Sequence, residues 1–148
     1  RLQGDWSSDV CSSDLVDQPI GRHPRQRVKM AVVANGKEAR THYSVLQRFE
    51  GHTHVQLQLE TGRTHQIRVH MAHLGYPLVG DALYAGRFKI HKGADPDLLS
   101  LLRDFDRQAL HAVELQLIHP ATGESISWSS PLPDDFQAFL AQLSYAQL

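Results

Sequence analysis

The chain has 148 residues with a formal net charge of −1 and 41% hydrophobic residues, enough apolar material for one packed domain or part of one. No apolar run reaches membrane-spanning length and no charged-then-apolar leader is present, so neither insertion nor secretion is indicated and the cytoplasm is the expected location. The single cysteine, Cys11, excludes an internal disulfide and argues against a cysteine-based metal site.

The near-zero charge conceals an asymmetry. Residues 21–48 carry Arg22, Arg25, Arg27, Lys29, Lys37, Arg40 and Arg48 against one acid, Glu38, whereas residues 93–148 carry eight acids against two bases. A basic segment of this kind can form a polyanion-binding face, although a charge run alone is more often a solvated hairpin.

Taken in chain order, residues 1–15 stand apart. Ser7-Ser8-Asp9-Val10 is nearly repeated as Ser12-Ser13-Asp14-Leu15, without useful periodicity. The segment reads as a non-native or disordered leader resembling translated sequencing-adapter read-through, with the domain proper over 16–148. Val28–Ala34 predicts a strand and Asn35-Gly36 a tight turn. Arg40–Phe49 predicts a second strand, with Tyr43, Val45 and Leu46 inward. In His54–Glu60, Val55, Leu57 and Leu59 alternate with polar residues, as a half-buried strand requires. Residues 28–60 therefore read as an antiparallel meander.

A helix follows, with Thr64 as the expected N-cap, an apolar stripe of Ile67, Met71 and Leu74, and a stop at Gly75 and Pro77. A loop from Gly80-Asp81 to about Gly93 carries Tyr84, Arg87, Lys89 and Lys92. Leu98–Phe105 predicts a short helix, Leu110–His119 and Ser125–Ser129 a strand pair, and Asp134 onward a closing helix with Phe136, Phe139, Leu140 and Leu143 facing the core. Strands and helices mix without regular alternation, so the fold class is α+β.

The chemistry concentrates between Gly62 and Met71. A strand passes through a glycine into a helix start carrying Arg63, Thr64, His65 and Arg68. Free N–H groups and the dipole at such a start favour an anion, either a phosphate or a buried carboxylate. Arg63 reads as a surface arginine or a phosphate contact. Arg68 borders the apolar stripe, so it either grips a carboxylate or snorkels outward. Asp81 follows a glycine, where turn and cap roles prevail over catalytic ones. His65, His70 and His73 lack a carboxylate or cysteine at ligand spacing, so no metal site is expected.

The run Leu59-Glu60-Thr61-Gly62-Arg63-Thr64-His65-Gln66-Ile67-Arg68-Val69-His70-Met71-Ala72-His73, followed by Pro77-Leu78-Val79-Gly80-Asp81 and Tyr84, resembles the RluA-type pseudouridine synthases, and within them the RluD-like branch acting on large-subunit ribosomal RNA. Pro19–Pro24, Lys29–Val32, Thr41–Tyr43, Phe105–Ala112 and His119-Pro120 agree, so the resemblance spans about residues 16–140. It implies isomerisation of uridine to pseudouridine in RNA, with no cofactor and no metal, by a parent protein expected to be a monomer. The target base must leave its stack. One aspartate does the covalent or general-base work, Arg68 holds that aspartate, and Leu110 packs near the flipped uracil. Arg22, Arg25, Arg27, Lys29, Arg63 and His65 would contact RNA.

The resemblance also places the catalytic aspartate in a His-Arg-Leu-Asp block that does not occur in these 148 residues. The chain therefore reads as the C-terminal part of a catalytic domain, inactive by itself. The alternative is a non-catalytic RNA-binding module that uses the same cations on phosphates.

Overall fold

The computed structural model describes residues 13–86 and 96–145. Within them the order is β1 (Ser13–Asp17), β2 (Ile20–Arg22), β3 (Met30–Val32), β4 (Arg40–Phe49), β5 (His52–Leu59), α1 (Gln66–His73), α2 (Pro96–Asp104), β6 (Glu114–Ile118), β7 (Ser125–Ser129) and α3 (Asp134–Tyr145). Antiparallel strands and separate helices make the fold α+β. Cys11, Arg87, Lys89 and Lys92 lie outside the described residues, as do residues 1–12 of the expected leader. Ser13, Asp14 and Leu15 belong to β1, so regular structure begins before the boundary drawn at residue 15. A ladder is made by backbone groups, which Ser, Asp and Leu all supply.

Only the second half of the expected meander is formed, β4 pairing antiparallel with β5. β4 lies between β5 and β1, while β3 pairs back onto β2 in a ribbon of its own. The strand expected over 28–34 shrinks to three residues, and Asn35-Gly36 does not lead β3 into a hairpin with β4. Instead Lys37 forms a bridge with Ile20, its N–H donating to the Ile20 carbonyl at 2.8 Å and its carbonyl accepting from Ile20 at 2.9 Å. Turn propensity marks where a chain bends. It does not choose among distant backbone partners.

β4 matches its expected bounds, with one exception in facing. Tyr43 is buried and Val45 half-buried, but Leu46 is 54% exposed. The register slips between Val45 and Gln47, leaving Leu46 as the extra residue of a bulge. Beyond the bulge the strand presents Phe49, opposite His52, to the helices.

Two apolar clusters organise the rest. Phe49, Leu98, Leu102, Phe105, Phe136, Phe139 and Leu143 pack together, with Val79, Ala109 and Leu140 at their border. The stripe expected on the closing helix is thus the stripe that packs. Ile20, Ala39 and Val69 form the second cluster, bordered by Met30, Val32 and Tyr84. The loop after α1 runs from Val79 at the edge of one cluster to Tyr84 at the edge of the other. Both ends of that loop are anchored by burial, which holds Asp81 between them.

The β6–β7 ribbon is different. Leu115 opposite Trp128 and Leu117 opposite Ile126 share one face, yet Leu115 is 58% and Trp128 51% exposed. Among the described residues nothing covers this apolar face.

Candidate active site

Helix α1 begins one residue later than expected and is not capped by Thr64. His65 occupies the N-cap with φ of 57°, a left-handed conformation unusual for a residue other than glycine, and makes no side-chain cap hydrogen bond. Its ring is held instead: Nδ1 lies 2.9 Å from the Tyr84 hydroxyl, and the two rings meet edge to face at 5.7 Å. Loss of a favourable backbone conformation is offset by a fixed side chain, a pattern common at functional sites.

The buried face of α1 is also not the expected one. Ile67 and Leu74 are only half-buried, whereas Gln66, Val69, His70 and Met71 are buried. Two of these four are polar, and each has its hydrogen bonds satisfied. Gln66 Oε1 accepts from the Thr61 hydroxyl and the Arg63 N–H, both at 2.9 Å. Its Nε2 donates to the Arg40 carbonyl at 2.9 Å and to Thr41 Oγ1 at 3.0 Å. Thr41 in turn donates to His70 Nδ1 at 2.9 Å, and His70 Nε2–H donates to the Gln18 carbonyl at 2.9 Å. The carbonyl can only accept, so Nε2 carries a hydrogen, and because burial disfavours the charged ring His70 is assigned as the neutral Nε2–H tautomer. The network ties the helix start to β4 and to the residue following β1. Periodicity of apolar residues cannot reveal it, because its members read as solvent-facing.

Burial is the largest influence on His70 and lowers its pKa from 6.5, against a smaller opposing pull from its Gln18 hydrogen bond. The unfolded chain therefore takes up a proton near pH 6.5 while the folded protein resists it. Stability from this site is complete above that pH and falls as pH drops below it, by at most about 1.4 kcal/mol per pH unit. Urea midpoints at pH 7.5 and 5.5 should differ more for the wild type than for His70→Gln. Equal differences would remove His70 from the pH response.

The centre of the site is Arg68 and Asp81. Arg68 Nε donates to Asp81 Oδ2 at 2.8 Å and Nη2 to Oδ1 at 2.9 Å, a bidentate pair. The Asp81 side chain is fully buried and Arg68 is 15% exposed. Oδ1 also accepts from the N–H groups of Leu83 and Tyr84, at 3.0 and 3.1 Å. Burial acts to raise the Asp81 pKa, but the Arg68 and backbone hydrogen bonds prevail and hold it below the usual 3.8. Hydrogen bonding to Asp81 raises Arg68 further, against the opposing effect of burial.

Arg68 does grip a carboxylate rather than snorkel, but its partner lies within the chain, thirteen residues on. The turn role expected of Asp81 is real, since it receives two successive N–H groups, and it is combined with the ion pair. The arginine also stacks: its Cζ lies 4.8 Å from the centroid of the Tyr84 ring. Nη1 makes no hydrogen bond among the described residues.

The remaining expected residues are placed as follows. Leu110 is half-buried in the stretch after α2, where the Ala109 N–H donates to the Val79 carbonyl at 2.8 Å. That contact lays Leu110 alongside the turn leading to Asp81. Arg22 and Arg63 line a common groove with Lys37. Arg25 and Arg27 are exposed on the turn between β2 and β3, whose N–H groups at Arg25 and Gln26 are received by His23 Nδ1 at 3.1 Å. Lys29 is half-buried just before β3. Among the described residues no group of three histidine, cysteine, aspartate or glutamate side chains could hold a metal, and no helix is long and apolar enough to cross a membrane.

Gln66, Tyr84 and Lys37 also belong to this region: the sequence placed Gln66 and Tyr84 within the family-like pattern and Lys37 in the basic segment, but gave none of them a role of its own.

Comparison with known proteins agrees with this architecture. A family model described as RNA pseudouridylate synthase matches residues 6–73. The chain is 59% identical over 134 residues to ribosomal large subunit pseudouridine synthase D of Pseudomonas aeruginosa, covering 90% of this chain and 42% of the relative. It is 56% identical over 126 residues to the protein of that name from Escherichia coli strain K12, covering 85% and 39%. Among solved structures, human RNA pseudouridylate synthase domain containing 4 aligns with a TM-score of 0.63 at 28% identity, covering 90% of this chain and 57% of that one. The human domain containing 1 protein aligns equally well over 85% and 51%. The chain spans about two-fifths of the length of the curated relatives it matches. Across nearly all its residues the chain is therefore similar to RNA pseudouridylate synthases, among them those named ribosomal large subunit pseudouridine synthase D.

Proposed function

We propose that this chain is the C-terminal portion of a catalytic domain that converts uridine to pseudouridine in RNA, with large-subunit ribosomal RNA as substrate. The observation that carries the reading is the arginine fixed at the start of α1. Asp81 occupies Nε and Nη2 of Arg68, and Tyr84 lies against the guanidinium plane, so its direction is set. Nη1 is the group left to meet a second carboxylate, that of the aspartate acting on the substrate. An arginine so placed would keep that carboxylate ionised and oriented.

In the isomerisation the C1′–N1 bond of uridine breaks, the uracil turns, and C1′ bonds to C5. The C5 proton is lost and N1 gains one. The acting aspartate comes from outside these 148 residues, Arg68 is its positioning residue, and Leu110 packs near the flipped base. Neither cofactor nor metal is needed. Arg22, Arg25, Arg27, Lys29 and Arg63 contact phosphates, which position RNA without reading its sequence. His65, held by Tyr84, orients the corner. The relatives' names supply the ribosomal substrate. The parent acts as a cytoplasmic monomer.

The test uses the full-length protein carrying these residues. Arg68→Ala would leave Asp81 buried without its partner, so Arg68→Lys is the better variant: the charge stays and the planar fork is lost. The wild type should restore pseudouridine to large-subunit ribosomal RNA in a strain lacking the gene. Arg68→Lys should lower turnover at least about 100-fold, consistent with loss of oriented groups, while shifting the RNA dissociation constant less than about threefold. Full activity in the variant would show that Arg68 does not position the acid. Binding of RNA by the wild type without any pseudouridine formed would favour a non-catalytic RNA-binding module.

A further inference from the structure

The strongest feature outside the Arg68–Asp81 pair is a groove of about 470 Å³ between the β2–β3 ribbon and the approach to α1. Arg22, Lys37 and Arg63 line it together with Gly36, Gly62 and Thr64, and no acid is among the described lining residues. Each cation is set there by backbone structure. Arg22 ends β2, and Lys37 is locked to β2 by its two hydrogen bonds with Ile20. The turn between them lies flush against the ribbon, because a Cβ on Gly36 would stand 2.6 Å from the Ile20 carbonyl carbon. Arg63 Nε donates to the Glu38 carbonyl at 2.9 Å, which fixes the guanidinium and leaves both Nη groups without a hydrogen bond among the described residues. The nearest acid in sequence, Glu38, has its carboxylate on Arg40 Nη2 at 2.9 Å. The positive potential of the groove is therefore not cancelled locally.

We infer that this groove seats one phosphodiester of the RNA strand, held by Lys37, Arg63 and Arg22, next to the nucleotide that is modified. This rests on the RNA reading above and adds a binding residue, Lys37, and a position to it. The position follows from Tyr84. Met30 also lines the groove, and its N–H donates to the Tyr84 hydroxyl at 2.9 Å, while the Tyr84 ring lies against Arg68. One side chain thus spans from the groove wall to the ion pair. A strand seated in the groove has its neighbouring nucleotide at the reaction centre, and the phosphate contact sets which nucleotide arrives there.

The test is the salt dependence of binding, measured by anisotropy with a labelled 12-nucleotide single-stranded RNA and the full-length protein. Lys37→Ala should reduce the slope of log K against log salt by about 0.7, one single-strand phosphate contact, and Lys37→Glu should weaken binding further. Arg103→Ala, on α2 and outside the groove, should leave the slope unchanged. Lys37 holds β2 through its backbone, so these variants keep the bridge, and matched thermal melts verify that. An unchanged slope in both Lys37 variants overturns the inference. Pseudouridine formed in parallel by the wild type on large-subunit ribosomal RNA separates the two ideas. A reduced slope without product leaves the groove standing and removes the enzymatic reading. Product with an unchanged slope does the reverse, and no RNA binding by the wild type removes both.

Discussion

Asp81→Ala is expected to destabilise the full-length protein by about 3–5 kcal/mol, the cost of stripping one partner from a buried ion pair. The loss has three parts. Arg68 is 15% exposed and cannot regain full hydration for the two N–H groups that faced the carboxylate. The N–H groups of Leu83 and Tyr84 lose their shared acceptor. The turn that carries Tyr84 then keeps only its backbone hydrogen bonds, Asp81 N–H to Leu78 and Ala85 N–H to Asp81, so the hydroxyl that binds Met30 and His65 is held less firmly. Asp81→Asn should be milder, since an amide oxygen still accepts from the backbone, though its NH₂ faces the guanidinium. Urea unfolding of the three proteins measures the order. A double replacement by apolar residues, Arg68→Met with Asp81→Leu, should cost less than the sum of the single changes, because no unpaired charge remains. Strict additivity would mean that the two groups do not act as a pair. Because the Asp81 carboxyl is held below 3.8, its contribution is complete above about that pH and is lost only as the pH falls through its own lower value. The His70 contribution begins to fall near 6.5. The two sites therefore act in separate pH windows.

Gly80→Ala should be nearly as damaging, by a different route. Gly80 has φ of 72°, and a Cβ there would stand 1.9 Å from the Arg107 carbonyl oxygen and 2.9 Å from its carbon. Backbone cannot swing aside as a side chain can. The turn from Val79 to Asp81 would have to separate from the stretch after α2, breaking the Ala109 N–H bond to Val79 and moving Leu110 with it. Left-handed strain alone costs roughly 1 kcal/mol, and the clash adds the loss of the Val79 and Ala109 contacts at the border of the larger cluster. A total above about 3 kcal/mol is expected, with pseudouridine formation lost along with it, since the same turn aims both Asp81 and Leu110. A melting temperature within about 2 °C of wild type would show that the turn relaxes without consequence.

These two residues show where a sequence stops being legible. The closing helix, with Phe136, Phe139, Leu140 and Leu143 on one face, needed only its period to be read. The same holds for β4 and β7, whose bounds match expectation. The cluster of polar and cationic residues at Gly62–Arg68 was visible too, because it depends on residue types at consecutive positions. Both are local properties, carried by side-chain spacing along one element.

Partnership is not local. The amino-acid order alone left Arg68 either gripping a carboxylate or snorkelling, and Asp81 a turn residue thirteen positions away. Only folding brought the two within 2.8 Å. The same is true of Gln66, Thr41 and His70, three polar residues that periodicity assigns to solvent. They are buried because each hydrogen bond lost to water is replaced inside the protein. Likewise β4 chose β1 over β3, and the Asn35-Gly36 turn was laid against Ile20, by long-range backbone pairing. Composition and spacing determined which residues this protein has for holding an anion. Tertiary packing decided which of them face one another, because desolvated polar groups must find partners and those partners lie far apart along the chain.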